Sequence, residues 1–423
     1  MNRKAVLISN KYPFPADDGK KTVLAGLAAY LLEKYGKDDF VYIVIGKPEA
    51  RTDEARSGRT IFVRPPGRLA QLWNLITLVF RKDSPSLQEA LTWSTITSRE
   101  LHALVDELAP ELVVLDTIRV GQYFSKHENY PYRRILYMDD LFYLRFERLL
   151  QVAHSQHGVE LDPVGTFAPH LPGFARTLLR SRILQTFLFR FEMSRVKQRE
   201  IKSPEHFERC LLINPNEART LTEIAGADNV FSIRPLLSVD DGRPERNHAG
   251  TPNFLIFGSL RHPVYRASVI RFLETCMEDI RQNMPATRIQ IVGAGADATI
   301  KMLAAKYANN IELTGFVDNL ESLFASSCAL LVPMLAAGGL KLKALTALYY
   351  GLPMISTSSG VDGLEVEDNF DCIVENRLDL FPEHMKRLCD ARLNREISTN
   401  ARQTFLKYYS RDSVFAEYDN LFG

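Results

Sequence analysis

Short apolar runs alternate with longer amphipathic segments along most of the chain. In the first half the apolar runs are residues 5–9, 40–45, 60–63, 112–116 and 134–140. A loop rich in Pro, Gly and charge, 10–21, follows the first run, and a segment of helical period, 22–32, follows the loop. This order predicts buried parallel strands joined by helices. It is typical of a doubly wound α/β domain, whose ligands lie beyond the carboxyl ends of the strands.

The same alternation restarts after a polar, turn-rich stretch at 240–250. Its strand candidates are residues 253–257, 288–292, 311–313 and 328–332. We therefore predict an α/β protein with two Rossmann-like domains. The N-terminal domain spans 1–240, the C-terminal domain spans 241–409, and a tail, 410–423, returns to the N-terminal domain.

Two basic segments, 64–82 and 174–199, interrupt the alternation. In the first, Leu and Ile residues recur at helical spacing with Trp73 and Phe80, and arginines and a lysine flank them; the second is rich in Leu, Phe and Arg. Basic amphipathic helices of this kind lie in a membrane interface or line a lipid acceptor groove. Alternatively, the first packs on its own domain and the second is an exposed connecting helix. The sequence leaves open a peripheral membrane contact through 64–82 and 174–199.

Composition narrows the class of protein. The 423 residues are 46% hydrophobic and 24% charged, with a net charge of +1, which is typical of a globular protein and does not point to nucleic acid. Five scattered cysteines lack the paired spacing of a metal site and fit a reducing compartment. The longest uncharged apolar segment, 69–80, is too short to span a bilayer, which takes about 20 residues. We expect a cytoplasmic protein, at the inner face of the membrane if the basic segments bind lipid.

A glycine-rich turn at 336–341 precedes a helical segment that Gly351 ends. Gly338 and Gly339 allow the backbone to approach a ligand closely, and the free N–H groups of a helix start favour an anion. Lys341 and Lys343 add positive charge where helices normally place acids. The turn is therefore either a phosphate site or a solvated basic turn.

Several motifs of the second half occur in a characteristic order. They are Phe257-Gly258-Ser259, Ile291-Val292-Gly293-Ala294-Gly295, Leu313-Thr314-Gly315-Phe316-Val317, Leu331-Val332-Pro333, Gly338 to Lys343, and Tyr350-Gly351-Leu352-Pro353 through to Leu364. Together they make the second half resemble, nearly end to end, the nucleotide-binding domain of retaining group-1 glycosyltransferases. These enzymes have the GT-B architecture, in which two Rossmann-like domains face each other across a cleft. The first domain is similar to the family less closely, through 12–20 and 139–145.

The resemblance implies roles for particular residues. Lys341 and Lys343 would lie at the diphosphate of a nucleotide-sugar, and Asp139 and Asp140 would lie at the sugar or acceptor; these are the four catalytic candidates. The donor would be bound by Gly19, Gly258, Ser259, Arg261, Gly293, Gly315, Phe316, Val317, Gly338, Gly339, Leu340 and Thr346. Adjacent strand residues point to opposite faces, so at most one of the two aspartates enters the site, which argues against a two-carboxylate metal site. The resemblance implies no metal and no cofactor.

The chain departs from the family at the ribose-binding positions. The family usually has glutamate at Thr346 and often at Gly338, and threonine cannot make a carboxylate's charge-assisted hydrogen bonds. Ser259 replaces a frequent arginine, for which Arg261 and Arg266 are the two candidate displaced substitutes. The main hypothesis is a retaining transferase for surface polysaccharide, with a glycan or lipid-linked acceptor. The alternative is a catalytically silent GT-B protein that acts as the partner or scaffold of another transferase. A third hypothesis is a GT-B sugar-nucleotide epimerase, but the sequence shows no catalytic set of His and Glu residues that would support it.

Overall fold

The computed structural model describes residues 4–48, 52–77, 85–125, 130–155, 182–237, 246, 250–317, 320–336 and 338–423. They form two compact units. The first comprises the described parts of Met1–Glu147, Leu161–Val239 and Val414–Gly423, and the second comprises those of Arg148–Glu160 and Asp240–Ser413.

A parallel sheet forms the centre of the first unit. In the described residues its strands are β1 (Ala5–Ser9), β2 (Phe40–Ile45), β3 (Arg59–Val63), β4 (Leu112–Asp116), β5 (Arg133–Asp139), β6 (Arg209–Leu212) and β7 (Val230–Ser232). Their order is β3-β2-β1-β4-β5-β6-β7, and Ala5 pairs with both Phe40 and Leu112. The strand order therefore reverses between β1 and β4, which is where ligands bind in sheets of this kind.

Helices cover both faces of this sheet, because its strands are apolar on both sides. The helices of this unit are α1 (Gly19–Tyr35), α2 (Glu54–Ser57), α3 (Arg68–Thr77), α4 (Leu87–Thr92), α5 (Thr95–Leu108), α6 (Thr117–Gly121), α7 (Phe142–Ser155), of which only 142–147 belong to the first unit, α8 (Arg182–Lys202) and α9 (Pro215–Ala225). Asp18 starts α1 by accepting the Lys21 N–H at 2.9 Å. This cap fixes where α1 begins, in the loop that follows β1.

The second unit is built on another parallel sheet. Its strands are β8 (Asn253–Phe257), β9 (Arg288–Val292), β10 (Ile311–Gly315), β11 (Ala329–Val332), β12 (Met354–Ser356) and β13 (Ile373–Val374), in the order β10-β9-β8-β11-β12-β13. Its helices are α10 (Pro263–Asn283), α11 (Ala298–Lys306), α12 (Glu321–Ser326), α13 (Leu342–Tyr350), α14 (Phe381–Leu388) and α15 (Ala391–Tyr409). The order reverses between β8 and β11, so the loop after β11, which leads into α13, lies at the switch point.

These two parallel α/β sheets confirm the predicted fold class of two Rossmann-like domains. The helix predicted after the glycine-rich turn is α13, and Gly351 ends it with a φ of 61°, the left-handed conformation that favours glycine. Of the two basic segments, only 64–77 and 182–199 are among the described residues.

The chain ends in α16 (Arg411–Phe422), most of which belongs to the first unit. Tyr418 is fully buried, and its ring lies 5.2 Å from that of Tyr30. The Tyr30 hydroxyl donates to Asp419 at 2.9 Å, and Arg133 donates to the carbonyl of Phe422 at 2.9 Å. The last ten residues are thus part of the packing of the first unit.

Candidate functional site

Three glycines, Gly258, Gly293 and Gly315, lie at the carboxyl ends of strands β8, β9 and β10 of the second unit. Gly293 donates to the carbonyl of Gly315 at 2.7 Å, and Gly258 donates to that of Val292 at 2.9 Å. Gly293 has a φ of 146°, and a Cβ there would lie 2.0 Å from the Gly258 carbonyl oxygen. A side chain at Gly293 would therefore push apart the loops that follow β8 and β9.

The glycine-rich turn before α13 leaves the start of that helix open. Gly338 and Gly339 have φ values of 152° and 57°. The Lys341 amine folds back and donates to both glycine carbonyls, at 2.8 Å for that of Gly339. The side chain of the N-cap residue, Lys341, makes no cap hydrogen bond, and the first turn of α13 contains no acid. Its free N–H groups and the positive end of its dipole are therefore available to an anion.

Lys343, in the first turn of α13, lies in an apolar position. Its amine is 2.9 Å from the ring centroid of Tyr265, a buried residue that donates to the Phe257 carbonyl at 2.8 Å. No carboxylate in the described parts of the chain lies within ion-pair distance of this amine. Burial, with the charge of Lys341 added, lowers the pKa of Lys343 well below its usual 10.5. A bound anion would supply the missing counter-charge.

The other predicted donor-binding residues of this unit lie at strand ends or on α13. Ser259 and Arg261 are exposed in the turn after β8, and Phe316 is 69% exposed after β10 beside the half-buried Val317. Thr346 lies one turn into α13, and its hydroxyl donates to the Leu342 carbonyl at 2.8 Å. With its proton used in this way, Thr346 has only lone pairs to offer a ligand hydroxyl.

The first unit carries a buried charge cluster at the end of its sheet. Lys20, in the first turn of α1, lies 2.5 Å from Asp116 at the end of β4 and 3.3 Å from Asp139 at the end of β5. Ser9 donates to Asp116 at 2.6 Å, and Tyr137 donates to Asp139 at 2.7 Å. Burial by itself would lower the pKa of Lys20, but the two carboxylates outweigh it and raise the pKa. The exposed Gly19 immediately precedes this lysine.

The backbone is strained where this cluster meets the strands. Asp139 has a φ of 72°, at an irregularity in the pairing of β5 with β6, and Thr117, just after β4, has a φ of 67°. Non-glycine residues in this region cost about 1–3 kcal/mol each and persist only where the surrounding structure imposes them. Asp139, the residue with this positive φ, is also the one whose carboxylate lies 3.3 Å from Lys20.

The two adjacent aspartates have different partners and different acidities. Asp140 is almost fully buried and pairs with Arg145 through one oxygen, whereas its other oxygen has no hydrogen-bond partner among the described residues. Burial, with the nearby charges of Asp139 and Glu217, raises the pKa of Asp140 to about 6 despite Arg145. Burial would also raise the pKa of Asp139, but Lys20 and Arg145 lower it below its usual value. Asp139 is therefore the fixed carboxylate of the pair, and Asp140 is the titratable one.

Two glutamates hold the start of α7 directly after these aspartates. Glu200 of α8 accepts the N–H groups of Phe142 and Tyr143 at 2.8 and 3.2 Å, and Glu217 of α9 accepts that of Leu141 at 2.7 Å. Both glutamates are buried. Their carboxylates accept the N–H groups that an N-cap side chain would otherwise accept, and so they fix where α7 begins after Asp139 and Asp140.

The sequence reasoning missed Lys20, Asp116, Glu200 and Glu217. An acid at the end of a buried strand is a readable signal, so Asp116 could have been found, as could Lys20 beside Gly19. The two glutamates lie inside helices roughly 60 to 80 residues downstream of Asp139 and Asp140. The sequence around them gives no indication of their contact with the start of α7. Within the described ranges, no group of three His, Cys, Asp or Glu side chains is placed to hold a metal ion. A search of the same residues finds no helix long and apolar enough to cross a membrane.

A family comparison identifies the second unit. Residues 251–391 match the family model described as glycosyl transferases group 1. They include the glycine turns, Lys341, Lys343 and Thr346, so this part of the chain is similar to group 1 glycosyltransferases. A comparison of the sequence with curated proteins gives no match.

Solved structures resemble the whole chain. Sucrose-phosphate synthase from Thermosynechococcus elongatus is similar with a TM-score of 0.69 and 14% identity, covering 99% of this chain and 98% of that one. A mutant of S. aureus TarM, in complex with fondaparinux, alpha-GlcNAc-glycerol and UDP, is similar at 0.64 and 10%, covering 100% of each chain. WaaG, a glycosyltransferase involved in lipopolysaccharide biosynthesis, is similar at 0.60 and 12%, covering 99% of each. At these identities the likeness shows a shared fold, that of GT-B glycosyltransferases.

Proposed function

We propose that this chain, whose residues 251–391 match the group 1 glycosyltransferase family model, transfers a sugar from a nucleotide-sugar donor to a glycan or lipid-linked acceptor in surface polysaccharide synthesis. The observation that carries the proposal is the Lys343 amine, which belongs to a half-buried side chain, lies against the Tyr265 ring beside an uncapped helix start and has no carboxylate partner among the described residues. An amine that is partly withdrawn from water without a counter-charge is costly unless a ligand neutralises it. The diphosphate of the donor is the anion that this family of domains binds.

The second unit would hold the donor through its diphosphate. Lys343 and the N–H groups that open α13 would contact the phosphates, and the turn Gly315-Phe316-Val317 would hold the base. The UDP bound to TarM makes UDP the first nucleotide to test. Retention of anomeric configuration is part of the proposal and rests on the family resemblance.

Charge development explains how these groups would promote the reaction. As the bond from the anomeric carbon to the diphosphate breaks, negative charge grows on the leaving phosphate. The Lys343 ammonium and the helix amides are already oriented there and stabilise that charge. Because Lys343 is held in an apolar position, its attraction for the phosphate is stronger than that of a solvated lysine.

The first unit would bind the acceptor or the transferred sugar. Asp139 is oriented by Tyr137 and Lys20 and remains ionised, so it can accept hydrogen bonds from sugar hydroxyls. Asp116 is held by Ser9 and Lys20 and completes this polar edge. Asp139→Asn should therefore reduce transfer more than it reduces UDP binding.

Thermal unfolding with a panel of nucleoside diphosphates tests the donor site. Stabilisation by UDP or another diphosphate should increase with ligand concentration and be lost in Lys343→Met, which keeps the length of the side chain but not its charge. Lys306→Met on α11 is the matched control, since Lys306 is a solvated lysine of the same unit. No response to any nucleotide in the wild type would overturn the proposal.

A catalytically silent GT-B protein is the second candidate, and Thr346 favours it. The hydroxyl of Thr346 already donates to its own helix, so it cannot replace the two acceptor oxygens of a glutamate. Thr346→Glu should tighten nucleotide binding severalfold if the ribose lies there, because carboxylate hydrogen bonds are the stronger ones. Nucleotide binding without hydrolysis or transfer, in wild type and Thr346→Glu alike, would favour the silent candidate.

A further inference from the structure

Helix α3 exposes a stripe of large apolar side chains. Leu69, Leu72, Trp73 and Ile76 are 85%, 40%, 67% and 60% exposed. They are spaced i, i+3, i+4 and i+7, so they share one face of the helix. Isolated exposed apolar residues are common on protein surfaces, but four on one face of a ten-residue helix form a patch. We call these four residues the α3 stripe.

The opposite face of α3 is fixed to its own unit. Asn74 is buried and donates to the carbonyls of Ala90 and Trp93 at 3.0 and 2.7 Å. Leu75 packs against the cluster formed by Leu87 and Ala90. The helix is therefore already anchored through its inner face, and folding of the first unit does not bury the stripe.

The charge around the stripe is positive. The segment from Arg64 to Thr77 contains no Asp or Glu, and Arg64 and Arg68 are both exposed. Thr97 at the start of α5 donates to the Arg64 carbonyl at 2.9 Å, which brings Ile96, 71% exposed, close to Arg64. On α5, Arg99 and Glu100 are both exposed near Ile96 and offset each other, so the excess positive charge comes from Arg64 and Arg68. Exposed apolar groups with an excess of arginines match a bilayer with anionic headgroups. A second copy of this chain would instead present the same positive charge.

The second basic segment adds to this part of the unit. Phe191 of α8 packs on the same Leu87 and Ala90 cluster as Leu75. One turn earlier on α8, Phe187 is 64% exposed, and Arg190 after it is exposed as well. The described parts of both basic segments therefore meet at one apolar cluster of the first unit.

We propose that the α3 stripe docks on an anionic lipid bilayer, with Trp73 and its apolar neighbours in the interface and Arg64 and Arg68 at the headgroups. The docking gives the proposed transferase access to a lipid-linked acceptor, and in that respect it rests on the proposed function. The binding itself requires only the first unit's surface.

Vesicle co-sedimentation of the full chain tests the docking. The wild type should sediment with vesicles of phosphatidylcholine mixed with phosphatidylglycerol, bind less to phosphatidylcholine alone, and be released by salt. Trp73→Ser/Ile76→Ser should weaken partitioning by about tenfold or more, since each residue loses the burial of a large apolar group. Arg64→Gln/Arg68→Gln should weaken binding to the anionic vesicles only.

The matched control is Met302→Ser/Phe370→Ser, which removes two exposed apolar residues of the second unit and should leave binding unchanged. Because all these residues are exposed, the variants should unfold at the wild-type temperature. Failure of the wild type to sediment, or equal loss in the control, would overturn the docking. So would a wild-type dimer that Trp73→Ser/Ile76→Ser converts to a monomer, because the stripe would then be a self-interface.

The UDP response of each preparation separates the two proposals. If the chain fails to bind vesicles but UDP still stabilises it, only the membrane docking is overturned. If the chain binds vesicles through the α3 stripe but does not respond to any nucleotide, only the proposed transferase activity is overturned.

Discussion

The amine of Lys343 lies 2.9 Å from the centre of the Tyr265 ring, and a Cβ added at Gly258 would lie 2.7 Å from the same nitrogen. The ring supplies a cation–π attraction, which is worth about 2 kcal/mol or more when desolvated. That attraction lacks the strength of an ion pair, so burial still dominates the pKa of Lys343 and lowers it. Two predictions depend on this relationship.

Removing this amine should stabilise the unliganded protein. Lys343→Met replaces a half-buried amine that has no carboxylate partner among the described residues with an apolar chain of similar length, and it should raise the free energy of unfolding by about 1 kcal/mol. Urea denaturation at neutral pH measures it. Lys341→Met is the comparison, because it removes the hydrogen bonds to the Gly338 and Gly339 carbonyls and should give no gain. A loss of stability in Lys343→Met would show that the amine is satisfied without a ligand.

Donor binding should take up a proton at Lys343. The free amine has a lowered pKa, and a diphosphate beside it favours the charged form, so the complex binds more protons than the free protein. Affinity for UDP should therefore decrease as pH rises above the pKa of the free lysine. Calorimetry in buffers of different ionisation enthalpy measures the uptake, and Lys343→Met should abolish it. Equal proton counts in the two proteins would contradict this prediction.

The adjacent aspartates should affect stability with opposite signs. The pKa of Asp140 is about 6 in the fold against 3.8 unfolded, so the folded state binds more protons and stability falls as pH rises through that window. Asp140→Asn should remove this fall, a gain on the order of 1–3 kcal/mol at neutral pH. Arg145, which is half exposed, is left solvated.

Asp139 provides the contrast. Its pKa is lowered in the fold, so its stabilising contribution is present above 3.8 and is lost as pH falls. Asp139→Asn tolerates the same positive φ and should destabilise the protein near neutral pH, where Asp140→Asn stabilises it. Urea denaturation from about pH 4 to pH 7 distinguishes the two variants. If both variants changed the free energy of unfolding in the same direction, the assignment of Asp139 as the ionised and Asp140 as the titratable carboxylate would be refuted.

Glu200 should be a positioning residue for the aspartate pair. Glu200→Ala leaves the N–H groups of Phe142 and Tyr143 without their acceptor and should cost about 1–3 kcal/mol of stability. Glu200→Gln keeps one acceptor oxygen and should restore part of that stability and of the transfer rate. UDP binding, which we propose for the second unit, should stay at the wild-type level in both. The exposed Glu205→Ala is the control, and an equal loss there would contradict the specific role.

The pattern of apolar runs was enough to predict both sheets. Runs such as 5–9 and 253–257 are apolar on both faces, and only a parallel strand covered by helices buries both. The turn at Gly338 and Gly339, the helix after it and its end at Gly351 were equally readable, because a positive φ and a free helix start have local residue requirements.

What remained hidden depended on contacts between distant residues. The sequence presents Lys341 and Lys343 as equivalent. In the structure, the Lys341 amine folds back on its own turn, whereas the Lys343 amine lies against the ring of Tyr265, a residue roughly 80 positions earlier in the chain. Likewise, the sequence analysis placed Asp139 and Asp140 at adjacent positions of one strand, whereas β5 ends at Asp139, which has a positive φ. Their separate partners, Lys20 and Arg145, were not predicted.

By itself, the sequence determined the two parallel α/β domains, the glycine-rich helix start and the amphipathic period of the α3 stripe, because all of these follow from local spacing. The tertiary structure decided which lysine lacks a counter-charge among the described residues, which aspartate titrates near pH 6, and which face of α3 is exposed. Burial and electrostatic interaction depend on neighbours that only the folded chain brings together.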